Sequence, residues 1–232
     1  MPEKTINHFM FLKFNDAFWA APARQRSPFF GELSQELEAA GGCTNFYQVS
    51  PLKAEIDFMI WNAAPLESEN DESVFFERLA RALHSRRRQM APVTSLWGYT
   101  RPSVYARAPS PQEMDPFAAQ RQPYLVLYPF VKTIQWYLLG KDTRQGMMNE
   151  HIRVGHQYPE IKQLLLYSFG VQDQEFIVIY EMAALYRFSE LVNELRSSDV
   201  RVYTERDTPV YSAVWRSPQD MASLFCVEGK DL

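Results

Sequence analysis

The succession β-α-β-β-α-β can be read twice along these 232 residues, and the repetition predicts an α+β fold made of a duplicated ferredoxin-like unit. Short β-branched and aromatic runs alternate with two amphipathic helical patterns over residues 1–110, and the same succession returns over 111–232. Residues 106–121, with three prolines and little hydrophobic pattern, read as the linker between the two domains. Each half would hold an antiparallel sheet with two helices on one face. Two such sheets can pack or close in a dimeric α+β barrel-like arrangement that hides their edges.

In the first half, residues 6–14 read as a strand. Phe29, Leu33 and Leu37 recur at helical spacing within residues 28–40, and Gly41-Gly42 ends that helix. Thr44 to Val49 and Ile56 to Trp61 are strands separated by a turn at Ser50-Pro51. Residues 71–86 form a helix with Phe75, Leu79, Ala82 and Leu83 on one face. Pro92 to Tyr105 holds the last strand. In the second half, Tyr124 to Lys132 is a strand and residues 142–158 a helix that starts at Asp142 or Thr143. Lys162–Phe169 and Glu175–Glu181 make a hairpin around Gly170. Phe188 to Arg196 is a helix, Val200 to Glu205 a strand, Val210 to Trp215 an edge strand, and the tail from Ser217 is peripheral.

A chain that is 46% hydrophobic and 14% aromatic can bury a sizeable core. Its net charge of −4 gives no basic face for nucleic acid. Arg86-Arg87-Arg88 reads as a solvated helix end. Two distant cysteines, Cys43 and Cys226, make neither a disulfide framework nor a metal cluster. No apolar run reaches the ~18 residues a membrane helix needs. The expected compartment is the reduced cytoplasm.

The stretch richest in chemical groups is 142–181. It holds Met147-Met148-Asn149-Glu150-His151, then Gly155-His156-Gln157-Tyr158-Pro159, Tyr167-Ser168-Phe169-Gly170 and Asp173-Gln174-Glu175-Phe176. Upstream stand Tyr128-Pro129-Phe130-Val131-Lys132 and Trp136-Tyr137-Leu138-Leu139. Downstream come Leu195-Arg196-Ser197-Ser198-Asp199, Tyr203 and Asp207-Thr208-Pro209. This ordered set resembles the haem-binding half of the chlorite dismutase-like superfamily, and most of all its coproheme decarboxylases. A weaker likeness at Gly98-Tyr99-Thr100-Arg101-Pro102-Ser103 extends it over nearly the whole chain.

The resemblance implies haem b or coproheme III in residues 111–232 and no cofactor in 1–110, with His151 as the proximal iron ligand. Imidazole suits haem iron, and its second nitrogen needs a fixed partner. The family's carboxylate partner falls on Asp199, one methylene shorter than the usual Glu. His156 lies about 140° round a helix from His151 and faces elsewhere. Strand alternation alone places Tyr124, Val126, Tyr128, Phe130 and Lys132 on one side. The resemblance makes Tyr128 the radical-forming residue that attacks a substrate propionate, and Lys132 the carboxylate partner that assists proton movement. Trp136 would sit beside the porphyrin, and Thr208 matches a propionate-binding Ser. The distal residue falls on Gln163, or on Leu164 if a gap is placed near Pro159; chlorite dismutases carry Arg there. Arg101 or Arg153 would add positive charge.

The expected function is therefore oxidative decarboxylation of coproheme to haem b with hydrogen peroxide. The alternatives are a chlorite dismutase and a haem-binding protein without decarboxylase activity. The resemblance also implies a homo-oligomer, usually a pentamer.

Overall fold

The computed structural model describes residues 4–38, 42–105 and 110–226. The chain forms two compact units, Met1–Tyr99 with Ala213–Leu232, and Thr100–Ser212. Both are mixed α+β with antiparallel sheets, as the repeated element order predicts.

The first unit runs β1 (Thr5–Phe14), α1 (Asp16–Ala20), α2 (Ala23–Arg26), α3 (Phe29–Glu38), β2 (Cys43–Gln48), β3 (Phe58–Pro65), α4 (Asp71–Ser85) and β4 (Met90–Thr100). Strands β4-β1-β3-β2 are neighbours in that order. The even-numbered side chains of β1, among them Ile6, Leu12 and Phe14, meet Phe30, Leu33 and Leu37 of α3 and Phe75 and Leu79 of α4. The opposite face is buried too. There the Trp61 indole donates to Asn7 Oδ1 at 3.0 Å, and Asn7 Nδ2 donates to Thr5 Oγ1 at 2.8 Å. Burial on both faces explains why β1 and β3 read as nearly unbroken apolar runs.

Of the expected Gly41-Gly42 helix stop, Gly41 lies outside the described residues. Gly42 answers a different need, because a Cβ there would stand 2.6 Å from the Ala63 carbonyl oxygen. Arg86 corrects the solvated reading of the arginine run. Its side chain is buried and joins α4 to Glu36 on α3, with Nη2 donating to Oε1 at 2.8 Å.

The second unit runs β5 (Tyr124–Lys132), α5 (Ile134–Leu138), α6 (Lys141–Gly155), β6 (Lys162–Tyr167), β7 (Phe176–Met182), α7 (Leu185–Leu195), a 3-10 turn (Asp199–Tyr203) and β8 (Thr204–Arg206). The order β8-β5-β7-β6 repeats that of the first unit. Helices α6 and α7 cover one face through Val154, Phe188 and Leu191, packed on Val126, Val178 and Tyr180. Gly170 turns the β6–β7 hairpin with φ +72°, a conformation that favours glycine.

Four expectations change. The segment expected as a strand from Val200 to Glu205 is a 3-10 turn followed by only three strand residues. Gly140, not Asp142 or Thr143, occupies the N-cap of α6. The described part of the linker is fixed in place. Gln112 Nε2 faces the Gly155, Tyr158 and Ile161 carbonyls at 3.2, 2.9 and 3.1 Å, supplying donors just beyond the end of α6. Residues 106–109 lie outside the described residues. The tail is not peripheral: β9 (Tyr211–Arg216) pairs with β2, and α8 (Pro218–Phe225) buries Met221 in the first core. Residues from Ala213 thus belong with the first unit, where the sequence reading had assigned them to the second.

His8 sits in that first core, edge-on to Phe75 and Phe76, with a buried Nδ1 that has no hydrogen-bond partner. Burial lowers its pKa from 6.5 to about 4. Above the unfolded value both states are neutral. As pH falls between the two values, the unfolded chain binds a proton that the folded chain excludes, and stability drops by on the order of 3 kcal/mol. His8→Phe should flatten the loss of stability between pH 7 and 4.5, measured as urea midpoints against the parent. Parallel curves for the two chains would exclude His8 as the source.

Candidate active site

Antiparallel register sets the geometry. Tyr128 pairs with Val178, Val126 with Tyr180 and Phe130 with Phe176, so all six share one face of β5 and β7. Lys132 ends the same row on β5. Helix α6 supplies His151 over this face, α5 supplies Trp136, and the 3-10 turn supplies Arg201 and Tyr203.

Lys132 is held from several sides. Its backbone N–H donates to Glu175 Oε2 at 2.8 Å, and its Nζ donates to Thr204 Oγ1 at 3.2 Å. The same ammonium lies 4.8 Å from the Trp136 ring centre. Burial, then the neighbouring Arg201 charge, lowers its pKa to about 8, against the opposing pull of Glu175. Glu175 also accepts from the Tyr137 hydroxyl at 2.5 Å. Trp136 is buried, with Tyr203 at 5.8 Å between ring centres.

Tyr128 is half-buried and stacks on Tyr180 with ring centres 6.2 Å apart and planes at 29°. Burial raises its phenol pKa, and the neighbouring Tyr180 phenol offsets part of that rise. Asp207 pushes in the same direction as burial, while Arg196 and Arg201 oppose it. Asp207 is itself paired, to Arg196 at 2.9 Å and Arg201 at 3.4 Å.

His151 is kept neutral. Burial, with the Lys132 charge second, lowers its pKa to about 4, and its buried Nδ1 has no hydrogen-bond partner. Buried side-chain atoms without partners also occur on Thr133, Arg144 and Arg201 in this unit. Folded chains rarely leave such atoms unmet, so each is a candidate for a partner outside the chain, a ligand or a water.

Tyr128 and Lys132 share a face as predicted, with His151 and Trp136 near Lys132. The other candidates are arranged differently. Asp199 is exposed and makes no hydrogen bond to His151; its backbone N–H approaches Glu150 Oε2 at 3.5 Å instead, because the 3-10 turn replaces the expected strand. Thr208 is exposed, and its neighbour Asp207 faces the arginines. Gln163 is exposed on β6, directly opposite Tyr180 and therefore on the Tyr128 face. Leu164 pairs with Ile179 and points to the other face. Leu165 pairs with Val178, in the same cross-strand row as Tyr128, a position that strict alternation from Gln163 could have flagged. His156, at the C-cap of α6, and Arg153 are exposed, while Arg101 lies over the Tyr167 ring at 5.6 Å. Arg144, Tyr180 and Arg201 had not been singled out from sequence.

The sequence profile of the chlorite dismutase family matches residues 26–216. The chain belongs to the chlorite dismutase family. A coproheme decarboxylase from Mycolicibacterium smegmatis is 30% identical over 182 residues, covering 78% of this chain and 76% of that protein. The coproheme decarboxylase of Staphylococcus carnosus is 33% identical over 78 residues, or 32% of this chain and 31% of that one. A substituted chlorite dismutase from Candidatus Nitrospira defluvii has the same fold, with a TM-score of 0.83 at 20% identity, covering 96% of this chain and 95% of that one. The same organism's chlorite dismutase in complex with imidazole gives a TM-score of 0.83 at 20% identity, with the same coverage. In this member of the chlorite dismutase family no described helix is long and apolar enough to cross a membrane.

Glu175 braces the site through two donors, so Glu175→Ala would leave the Tyr137 hydroxyl and the Lys132 N–H without that acceptor. The expected loss is about 1–3 kcal/mol of stability by urea denaturation. A midpoint unchanged from the parent would show that these bonds contribute nothing.

Proposed function

We propose that this chain is a haem-dependent oxidoreductase that converts coproheme III to haem b in two oxidative decarboxylations, using hydrogen peroxide. The observation that supports it best is the carboxylate-shaped demand beside Tyr128. The Lys132 ammonium and the Arg201 guanidinium are neighbours under partial burial, and Arg201 Nη1 has no partner. A propionate carboxylate meets that demand, while an apolar ligand would leave it unmet. The relatives named coproheme decarboxylase support the same substrate class.

The residues present fit a haem group. His151 is a neutral imidazole, the form that ligates, and it carries a buried ring nitrogen without a partner. When bound, the iron porphyrin supplies the oxidising power drawn from peroxide. Trp136, Phe130 and Leu165 offer apolar surface on the ligand side. Tyr128 gives up a proton and an electron from its phenol and then takes a hydrogen atom from the propionate chain. Lys132 holds the carboxylate until carbon dioxide leaves, and it supplies a proton. For each propionate, one peroxide and one proton are consumed, and a vinyl group, one carbon dioxide and two waters result. Gln163, Leu164 and Leu165 together place no Arg on this stretch of β6, which disfavours chlorite as substrate.

His151→Ala should abolish the Soret band of bound ferric haem, whereas His156→Ala, at an exposed position, should leave it in place. Retention of the parent spectrum in the His151 variant would refute the ligand assignment.

Coproheme titration followed by peroxide and product chromatography tests the reaction. Tyr128→Phe should retain coproheme affinity to within ~1.5 kcal/mol, the scale of one hydrogen bond, yet yield no haem b. Lys132→Ala should weaken both binding and turnover. Haem b formed by the Tyr128 variant at the parent rate would assign the hydrogen abstraction to another residue. Sustained oxygen release from chlorite by the parent chain would favour the chlorite dismutase reading instead.

A further inference from the structure

The segment that leads into β5 has no part in the reading above, yet residues 110–116 are bonded both to the helix that carries His151 and to the strand that carries Gln163. Gln112 makes most of these bonds. It is buried, and its Nε2 lies within hydrogen-bond distance of the Gly155, Tyr158 and Ile161 carbonyls. Gly155 ends α6 about one helical turn after His151, and Ile161 immediately precedes β6. Two amide hydrogens serve three carbonyls, so the amide gathers the helix end and the connector around one point. The Gln112 backbone then holds β6. Its carbonyl accepts from Gln163 N–H at 2.8 Å, and Met114 N–H donates to the Gln163 carbonyl at 2.8 Å. Both backbone groups of Gln163 are thus bonded to this segment, which runs parallel to β6 at that point. The segment is itself pinned, by Lys162 Nζ donating to the Pro111 carbonyl at 2.6 Å and by Arg121 Nη2 donating to the Asp115 carbonyl at 2.9 Å.

We infer that Gln112 is a positioning residue for the haem site, setting the separation between His151 on α6 and Gln163 on β6. This deepens the haem-dependent reading and rests on it. His151 comes from a helix laid over the face on which Tyr128, Gln163 and Leu165 stand, so the width between that helix and β6 is what a flat ligand must match. The chain itself does not fix that width. The connector from His156 to Ile161 is short but contains Pro159, which has no N–H to donate, and the last carbonyls of a helix need donors from outside it. Gln112 supplies them from a neighbouring segment whose backbone is bonded to β6. A leucine would fill the same space and leave the three carbonyls without this donor.

Gln112→Leu keeps the volume and the backbone bonds to Gln163 and removes only the amide. The first measurement needs no haem. Amide hydrogen exchange of the full chain, read by mass spectrometry, should speed up about tenfold in peptides covering residues 152–166, the scale of one lost hydrogen bond, while peptides covering β5 keep the parent rate. A general loss of stability would speed both. The second measurement is release of ferric haem from the loaded chain to excess apomyoglobin, with the resonance Raman band of the iron–imidazole stretch recorded on the reduced chain. Release should be about tenfold faster and the band broader than in the parent. Lys162→Ala loosens the same segment without touching α6 and should leave release within about twofold. If the Leu variant folds poorly, Gln112→Asn, whose amide is one methylene short, carries the same expectations, with thermal unfolding as the check on folding. Parent exchange rates over 152–166 overturn the inference, and so does a parent-like release rate and band in a chain whose exchange has risen. An equal change in Lys162→Ala would assign the effect to the segment as a whole and overturn it too. If the parent binds no haem, the haem reading fails and the positioning role with it, while exchange still decides whether Gln112 ties α6 to β6.

Discussion

Placing Lys132 beside Arg201 under partial burial costs free energy that the chain recovers only in part. Thr204 and the Trp136 ring take up the ammonium, and Asp207 takes one edge of the guanidinium. The remaining Arg201 Nη1 has no partner, and each cation makes the other less favourable. An arrangement selected for stability alone would put an anion between them or an apolar side chain in place of one. Much of the second unit follows from this tension. The aromatic rings of Trp136 and Phe130 hold the cation without neutralising it, and Glu175 binds the Lys132 backbone N–H while leaving Nζ its other partners. The positive field also reaches His151, where it adds to burial in keeping the imidazole neutral.

The two units share one strand order, yet among the described residues the second concentrates polar groups in this way and the first does not. In the first, the space between helices and sheet is filled by rings, with Phe14 stacked on Phe18 and Phe58 and edge-on to Phe29 and Phe30. In the second, the corresponding layer contains Tyr128, Tyr158 and Tyr180 together with Phe130, Phe188 and aliphatic side chains. His8 and His151 make the contrast concrete. Both are depressed to about pKa 4, and both leave Nδ1 without a partner. His8 sits against two phenylalanines and owes its shift to burial alone, whereas His151 also feels a lysine. A lowered histidine pKa therefore does not mark a site by itself; its company does.

The parts of this arrangement that follow simple periodicity were legible in the sequence. Strand β5 has the predicted limits, and alternation put Tyr128 and Lys132 on one face before any coordinates. The hairpin at Gly170 and the helix carrying His151 were equally plain. What escaped depends on backbone choices that composition does not mark. Val200 to Glu205 has β-branched residues and reads as a strand, but it turns as a 3-10 segment, and that turn brings Arg201 toward Lys132 while leaving Asp199 exposed. The tail looked peripheral because its apolar residues are few, yet Ser217 caps α8 through a reciprocal bond with Asp220, and Met221 is fully buried. Leu165 has an ordinary aliphatic side chain that marks nothing by type, and only its alternation with Gln163 places it on the Tyr128 face.

Glu175 shows how closely the scaffold and the reactive groups are joined. Its backbone carbonyl accepts from Ser168 N–H at 2.8 Å and closes the Gly170 turn. Its carboxylate reaches the end of β5 through Lys132 N–H and reaches α5 through the Tyr137 hydroxyl. One residue thus couples the hairpin, the strand bearing Tyr128 and the helix bearing Trp136. Because β5 and β7 pair over seven consecutive residues, a shift in this turn would move Tyr180 and Tyr128 together rather than apart. The Tyr128–Tyr180 stack and the spacing of Tyr128 and Lys132 along β5 are then fixed by the sheet, while the approach of Arg201 depends on the 3-10 turn and on Asp207. Tyr128 and Lys132 are both carried by β5, whereas Arg201 comes from the short 3-10 turn.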